Sequence, residues 1–185
     1  ERSANLHSRG GQNQLLPVEA AACTGHAVVV KRLLELGAYP GRAAHFAARH
    51  GEMATIKLLV ELARDARGAF SCLDIGAKGC LCCGWTPLSI ATLHAHVPVA
   101  RLLIEVSRDD DIAAALPPNV CRRTGLAEGS TLLHLAASLG GYREAIVADL
   151  VRRADSLKHR QNKQGQLPFH LATVQVKPFL QPKFL

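Results

Sequence analysis

The sequence predicts an all-α solenoid of helix–turn–helix units, with four repeats, a partial fifth and two long inserts. One template of residues recurs five times along the 185-residue chain. Aromatic residues are only 4% of the chain although 48% of its residues are hydrophobic, so small and branched aliphatic side chains must fill the core. Such a composition favours closely packed helices over a β-sandwich.

Each copy of the template has a helix of small residues, a glycine-centred turn and a second, aliphatic helix. In the copy that starts at Thr86-Pro87, the threonine is a favourable N-cap and the proline suits the first helical position. Glycine in the turn between the helices accepts a positive φ. Pro178 and Pro182 interrupt the last copy, which predicts a half repeat or a cap. The five copies begin at Leu16, Arg42, Thr86, Thr131 and Gly165.

These copies resemble the ankyrin motif, T-P-L-H-x-A-A-x-x-G-H followed by V-V-x-L-L and G-A, over most of residues 12–173. The resemblance implies units of about 33 residues, each with a β-turn finger and two antiparallel helices. It also implies a chain that binds another protein through its finger loops and concave helix face, without catalysis or a cofactor, in the cytoplasm or nucleus. Three motif histidines are expected to hydrogen-bond to finger backbone, namely His45, His134 and His170.

The spacing of the turn positions departs from a regular 33-residue unit. Gly25 and Gly51 are too close for an ordinary finger, so a tight turn is expected at Tyr39-Pro40-Gly41. The spacings from Gly51 to Ala95 and from Ala95 to Gly140 are both longer than one regular unit, which predicts a finger insert in each. The predicted organisation is an N-terminal extension (1–11), an ankyrin-repeat domain (12–174, with inserts at about 64–84 and 108–129) and a C-terminal tail (175–185).

The second insert contains its own helix signal. Asp109-Asp110-Asp111 predicts an N-cap and an acidic first turn for a short helix over Ile112–Leu116. Pro117-Pro118 predicts the end of that helix.

The predicted partner-binding residues lie at finger tips and at the ends of the first helices. Trp85 is the single tryptophan of the chain and occupies a position that the motif usually keeps exposed, and tryptophan is enriched in binding hot spots. The alternative is that Trp85 packs over the neighbouring insert. Arg49 and His50 offer a basic contact for an acidic partner. The full predicted set is Trp85, Arg49, His50, His94, Leu139, Lys163 and Gln166.

Four cysteines in the first insert raise the question of a structural zinc site. Only Cys80 and Cys83 have the C-x-x-C spacing that zinc sites use in pairs, although His94 and His96 follow nearby. A redox pair would need a strand followed by a helix N-terminus, which this region lacks. We therefore expect free thiols and no bound metal, with the zinc candidates being Cys72, Cys80, Cys82 and Cys83.

Several function classes find no support in the sequence. It contains no G-x-S-x-G or H-E-x-x-H motif, no Walker spacing and no apolar run of the roughly 20 residues that a membrane span needs. The net charge of +7 favours acidic partners, but the basic residues are scattered, which argues against nucleic acid. A second hypothesis, motivated by the missing initiator Met and the Cys-rich insert, is a regulatory or targeting part of a larger enzyme, with a structural zinc.

Overall fold

The computed structural model describes residues 6–10, 14–65 and 84–181, and in this part of the chain the predicted all-α solenoid is confirmed. The insert predicted at 64–84 therefore lies almost wholly outside the described residues. The helices are α1 (Pro17–Cys23), α2 (Ala27–Glu35), α3 (Ala43–His50), α4 (Met53–Asp65), α5 (Pro87–Leu93), α6 (Val97–Val106), α7 (Asp109–Ala113), α8 (Pro118–Thr124), α9 (Leu132–Leu139), α10 (Glu144–Arg153), α11 (Pro168–Leu171) and α12 (Lys177–Leu180).

The helices stack in two layers. The first layer contains the first helix of each repeat, and each member packs on the next in the order α1, α3, α5, α9 and α11. The second layer runs α2, α4, α6 and α10. Buried alanines such as Ala47 and Ala136 let the first helices approach closely, while Leu59, Leu103 and Leu150 fill the space between the layers.

The fourth residue of most motif copies bonds to the start of its own helix, and Ser89 and His134 are examples. Ser89 Oγ accepts a hydrogen bond from Thr86 N (2.9 Å), and Thr86 Oγ1 accepts one from Ser89 N (3.1 Å), which makes a capping box. His134 Nδ1 accepts from Thr131 N (3.1 Å) in the same way. These local bonds satisfy amide groups that the first helical turn leaves without partners.

The same position also joins neighbouring repeats. His45 Nε2 donates to Trp85 O (2.9 Å) and His134 Nε2 donates to Gln166 O (3.0 Å). Both bonds reach the finger of the following repeat, so the predicted role of these two histidines is confirmed. His170 shows a different bond, because its Nδ1 accepts from Leu167 N in its own turn (2.9 Å).

A second set of contacts ties the helix–helix turns together. His96 Nε2 donates to Arg49 O (2.9 Å), and a Cβ at Gly51 would lie 2.7 Å from His96 Nδ1, so only glycine fits below this ring. Gly51 also has φ 75°, which favours glycine. Further along the stack, Arg143 donates to Thr92 O (2.9 Å) and Leu93 O (2.6 Å) at the end of α5. Each of these contacts satisfies carbonyl groups at a helix end.

The helix predicted over Ile112–Leu116 was placed wrongly. Helix α7 begins at Asp109, and Arg108 is its N-cap residue with an extended backbone. The Arg108 side chain pairs with Asp111 (3.0 Å). The proline pair was expected to end helical structure, yet Pro118 opens α8, since proline is tolerated in the first helical turn. Buried Val120 and Cys121 hold α8 against the repeats.

The tight turn expected between the first and second repeats is confirmed, because only residues 36–42 join α2 to α3 and Ala43 N donates to Pro40 O (3.0 Å).

The C-terminal end of the stack is built from short helices. Helices α11 and α12 have four residues each, and Pro178 lies in the first turn of α12. Val176 and Leu180 are buried, and α12 packs on α10, so these residues close the solenoid.

Glu19 joins the first two repeats from a fully buried position. It occupies the motif position of histidine and accepts hydrogen bonds from Leu16 N (3.1 Å), Arg42 N (3.0 Å) and Arg42 Nε (3.1 Å). Burial alone would raise the pKa of Glu19, but these bonds and the Arg42 charge lower its pKa below the ordinary value of 4.5. A carboxylate with a lowered pKa stabilises the fold above that value and loses its contribution as the pH falls below it.

Replacing Glu19 by glutamine tests this carboxylate. We expect Glu19→Gln to lower the free energy of unfolding by about 1–3 kcal/mol at pH 7, because charge-assisted hydrogen bonds are lost. The difference from the wild type should shrink as the pH falls below 4.5, measured by urea unfolding followed by circular dichroism. The control is Glu35→Gln, an exposed partner of Arg32, which should change stability by less than about 0.5 kcal/mol. A difference that is independent of pH would contradict the assignment.

Candidate functional site

A groove opens on the face of the first helices, between the second and third repeats. We call it the repeat groove. Its volume is about 380 Å³. Helices α3 and α5 supply most of its walls, and the insert helix α8 contributes one residue. The lining residues are Arg42, His45, Phe46, Arg49, Trp85, Ile90, Leu93, His94 and Arg123.

Trp85 does not have the exposure that was expected of a contact residue. Only 6% of its surface is exposed, and it belongs to the hydrophobic core. Its carbonyl oxygen accepts the hydrogen bond from His45, so its backbone is fixed by the preceding repeat. Trp85 is thus a core residue, and its side chain also lines part of the repeat groove. The predicted packing over the first insert concerns residues 66–83, which lie outside the described ones.

Three arginines line the repeat groove, and among the described residues only Arg42 has an acidic partner. Arg42 is held by Glu19 and lies over the Phe46 ring, with 5.1 Å from Cζ to the ring centroid. Arg49 and Arg123 are exposed, and neither guanidinium has an ion pair or hydrogen bond within the described part of the chain. Two arginines are thus available to a ligand beside an apolar floor.

The pKa of His94 is lowered by the positive charges around the repeat groove. Its ring stacks on His96, with ring centroids 6.1 Å apart. Partial burial lowers the pKa of His94 below its ordinary value of 6.5, and the charges of Arg49, His96, His50 and Arg143 lower it further. A negative group that enters the groove would oppose the effect of the Arg49 and Arg143 charges and raise the pKa of His94.

Comparison with known families decides the identity of the fold. A family model described as ankyrin repeats (3 copies) matches residues 18–115, which is more than half of the chain. The chain belongs to the ankyrin-repeat family. One curated relative, the human ankyrin repeat domain-containing protein SOWAHB, is 35% identical over 63 residues. That match covers 34% of this chain and 7% of the relative, so the chain spans only a small part of the relative's length.

The other predicted ankyrin contact residues do not gather in the repeat groove. His50 is exposed beside it, at the end of α3, and Leu139 is half-buried at the end of α9. Gln166 accepts bonds from His134 and from Asn162, so much of its polar capacity serves the fold. Lys163 pairs with Glu128 at 2.6 Å, away from the repeat groove.

Lys163 lines a second depression, which we call the finger groove. Its volume is about 790 Å³, and it lies among the finger loops and the second insert of the ankyrin domain. Its lining residues are Gly84, Ala115, Leu116, Pro117, Pro118, Asn119, Arg122, Glu128, Gly129 and Lys163.

Sequence reasoning placed Arg49, His94 and Trp85 among the contact residues but missed Arg42, Phe46 and Arg123 of the repeat groove. Arg42 and Phe46 precede the predicted contact Arg49 at spacings of seven and three, which place them on one helical face, and this signal was available. Arg123 was treated as one of several scattered basic residues. Its position depends on α8, which the sequence did not predict.

The zinc hypothesis concerns residues outside the described ones. Cys72, Cys80, Cys82 and Cys83 all lie there. Within residues 6–10, 14–65 and 84–181, no group of three or more His, Cys, Asp or Glu side chains is arranged to hold a metal ion. In the same ranges, no helix has the length and apolar character needed to cross a membrane.

The pKa of His94 can be measured directly. We expect His94 to titrate below 6.5 in an NMR pH titration, and Arg49→Ala to raise its pKa because a nearby positive charge is removed. The matched control is Arg152→Ala on α10, in the second layer, which should leave the titration of His94 unchanged. An unaltered pKa in Arg49→Ala would refute the electrostatic account.

Because Trp85 is a core residue, truncating its side chain should mainly lower the stability of the fold. We expect Trp85→Ala to lower the free energy of unfolding by about 3–5 kcal/mol, the usual cost of removing a buried aromatic side chain. Denaturation followed by circular dichroism measures this. Tyr39, which is 56% exposed, supplies the aromatic control, and Tyr39→Ala should cost less than about 0.5 kcal/mol. Equal losses in the two variants would argue against a core role for Trp85.

Proposed function

We propose that this chain is a protein-interaction module whose repeat groove binds an acidic segment of a partner protein. The observation that carries the proposal is the pair Arg49 and Arg123, whose guanidinium groups have no ion pair within the described residues and flank an apolar floor. Ankyrin repeats are generally protein-interaction modules, and the proposal includes no catalytic step. The proposed place of action is the cytoplasm or nucleus.

The chemistry of the groove favours carboxylate groups next to one bulky apolar side chain. Guanidinium groups bind carboxylates through two parallel hydrogen bonds, which gives geometric specificity as well as energy. Phe46, Ile90 and Leu93 supply apolar surface beside the two arginines. A volume of about 380 Å³ is within the range of specific binding pockets and holds a few side chains rather than a folded domain.

The charge of the whole chain supports the same partner. The net charge of +7 attracts acidic molecules over a long range and increases their association rate, an effect that salt screens. The exposed arginines then act at short range. Affinity should therefore fall as the ionic strength rises.

The test begins with peptides selected on the intact chain from a random 12-residue display library. The selected peptides should be enriched in Asp and Glu around one large apolar residue. Their dissociation constants can be followed by the fluorescence of Trp85, because it is the single tryptophan and lines the groove. We expect Arg49→Ala with Arg123→Ala to weaken binding about tenfold or more, which corresponds to about 1.4 kcal/mol.

The control removes the same amount of charge elsewhere. Lys31→Ala with Arg152→Ala changes two exposed cations of the second layer and should alter the dissociation constant less than twofold. Selection of neutral or basic peptides would overturn the proposal. An equal loss in both double variants would also overturn it, because only the net charge would then matter.

A further inference from the structure

The insert helix α8 stands between the two grooves. Arg123 lines the repeat groove, and the preceding residue Arg122 lines the finger groove. The finger of the third repeat also contributes to both grooves, because Trp85 lines the repeat groove and Gly84 lines the finger groove. Two pairs of consecutive residues thus form a shared border, so the grooves adjoin.

Helix α8 is fixed firmly enough to hold this border in place. Its own residues Val120 and Cys121 are fully buried, and Gly125 ends it with φ 72°. The strand-like segment before it is also held, because Leu116 N donates to Ser130 O (2.7 Å). The two arginines therefore project from a supported element and not from a loose loop.

The finger groove combines apolar surface with an exposed arginine, as the repeat groove does, and it also contains the Lys163–Glu128 ion pair. Leu116, Pro117 and Pro118 give it apolar surface, and a Cβ at Gly84 would lie 2.9 Å from Pro117 Cγ, which shows how closely this finger meets the insert. Arg122 is exposed and has no ion pair or hydrogen bond of its own among the residues that the structure describes.

We propose that the repeat groove and the finger groove form one two-part site, occupied by an extended acidic segment of the partner protein. One apolar residue of this segment lies on Phe46 and Leu93, and a second lies on the proline pair of the insert. Carboxylates on the segment meet Arg49 and Arg123 in one part and Arg122 in the other. This inference rests on the proposed function and adds the second part of the site.

In the two-part site, the insert helix α8 increases affinity because one segment then contacts two grooves at once. Once one end of the segment is bound, the other end meets its groove at a high effective concentration, so the two weak contacts reinforce each other. An extended chain advances about 3.3 Å per residue, so about eight residues span about 26 Å, enough to cross a helix and reach both sides. A shorter segment would occupy only one part.

The experiment uses the tightest 12-residue peptide selected on the intact chain, together with its N-terminal and C-terminal halves. Each is titrated against the wild type and against Arg122→Glu, Arg123→Glu and Lys31→Glu. We expect the full peptide to lose about tenfold or more in affinity with each of the first two variants and less than twofold with Lys31→Glu. Each half should respond to one of the two arginine variants only.

The outcomes separate this inference from the proposed function. If Arg122→Glu leaves the full peptide bound within twofold while Arg123→Glu weakens it, the finger groove is not part of the site and the repeat groove stands alone. If both halves respond to the same variant, the two-part site is also wrong. If neither arginine variant matters, the proposed function fails as well. Circular dichroism melting curves that match the wild type show that each variant is folded.

Discussion

The side chain at the fourth position of the ankyrin motif is the contact on which the described solenoid depends. In three repeats it bonds forward to the finger of the next repeat, through Glu19 to Arg42 N, His45 to Trp85 O and His134 to Gln166 O. Glu19 and His134 also bond backward to the start of their own helices. These side chains are buried or half-buried, so water competes little for the bonds. Their effect is to fix each finger relative to the helix behind it.

The repeat groove is a consequence of this arrangement. His45 holds the backbone of Trp85 in the wall of the groove, and Glu19 holds the backbone of Arg42 at its edge. Between the third and fourth repeats the forward bond is absent from the described contacts, because Ser89 bonds within its own turn. Arg143 supplies the connection there instead, by donating to carbonyls at the end of α5.

Features set by local residue patterns could be predicted from the sequence. The helical repeat architecture and the turn at Gly51 follow from short motifs, and the finger bonds of His45 and His134 follow from the resemblance to the ankyrin motif. The start of α8 was missed because a proline pair suggests a helix end, whereas Pro118 stands at a helix start. The burial of Trp85 and the arrival of Arg123 beside Arg49 depend on contacts between distant segments, which no local pattern contains.

The forward bonds also differ in their chemistry from one junction to the next. The Glu19 carboxylate is an acceptor that meets an amide N–H, whereas the His45 ring is a donor that meets a carbonyl. If the second repeat were excised, Glu19 would face the Trp85 carbonyl, and two buried acceptors would oppose each other without a proton between them. The repeats share one shape but are not interchangeable, since each junction carries its own donor–acceptor polarity.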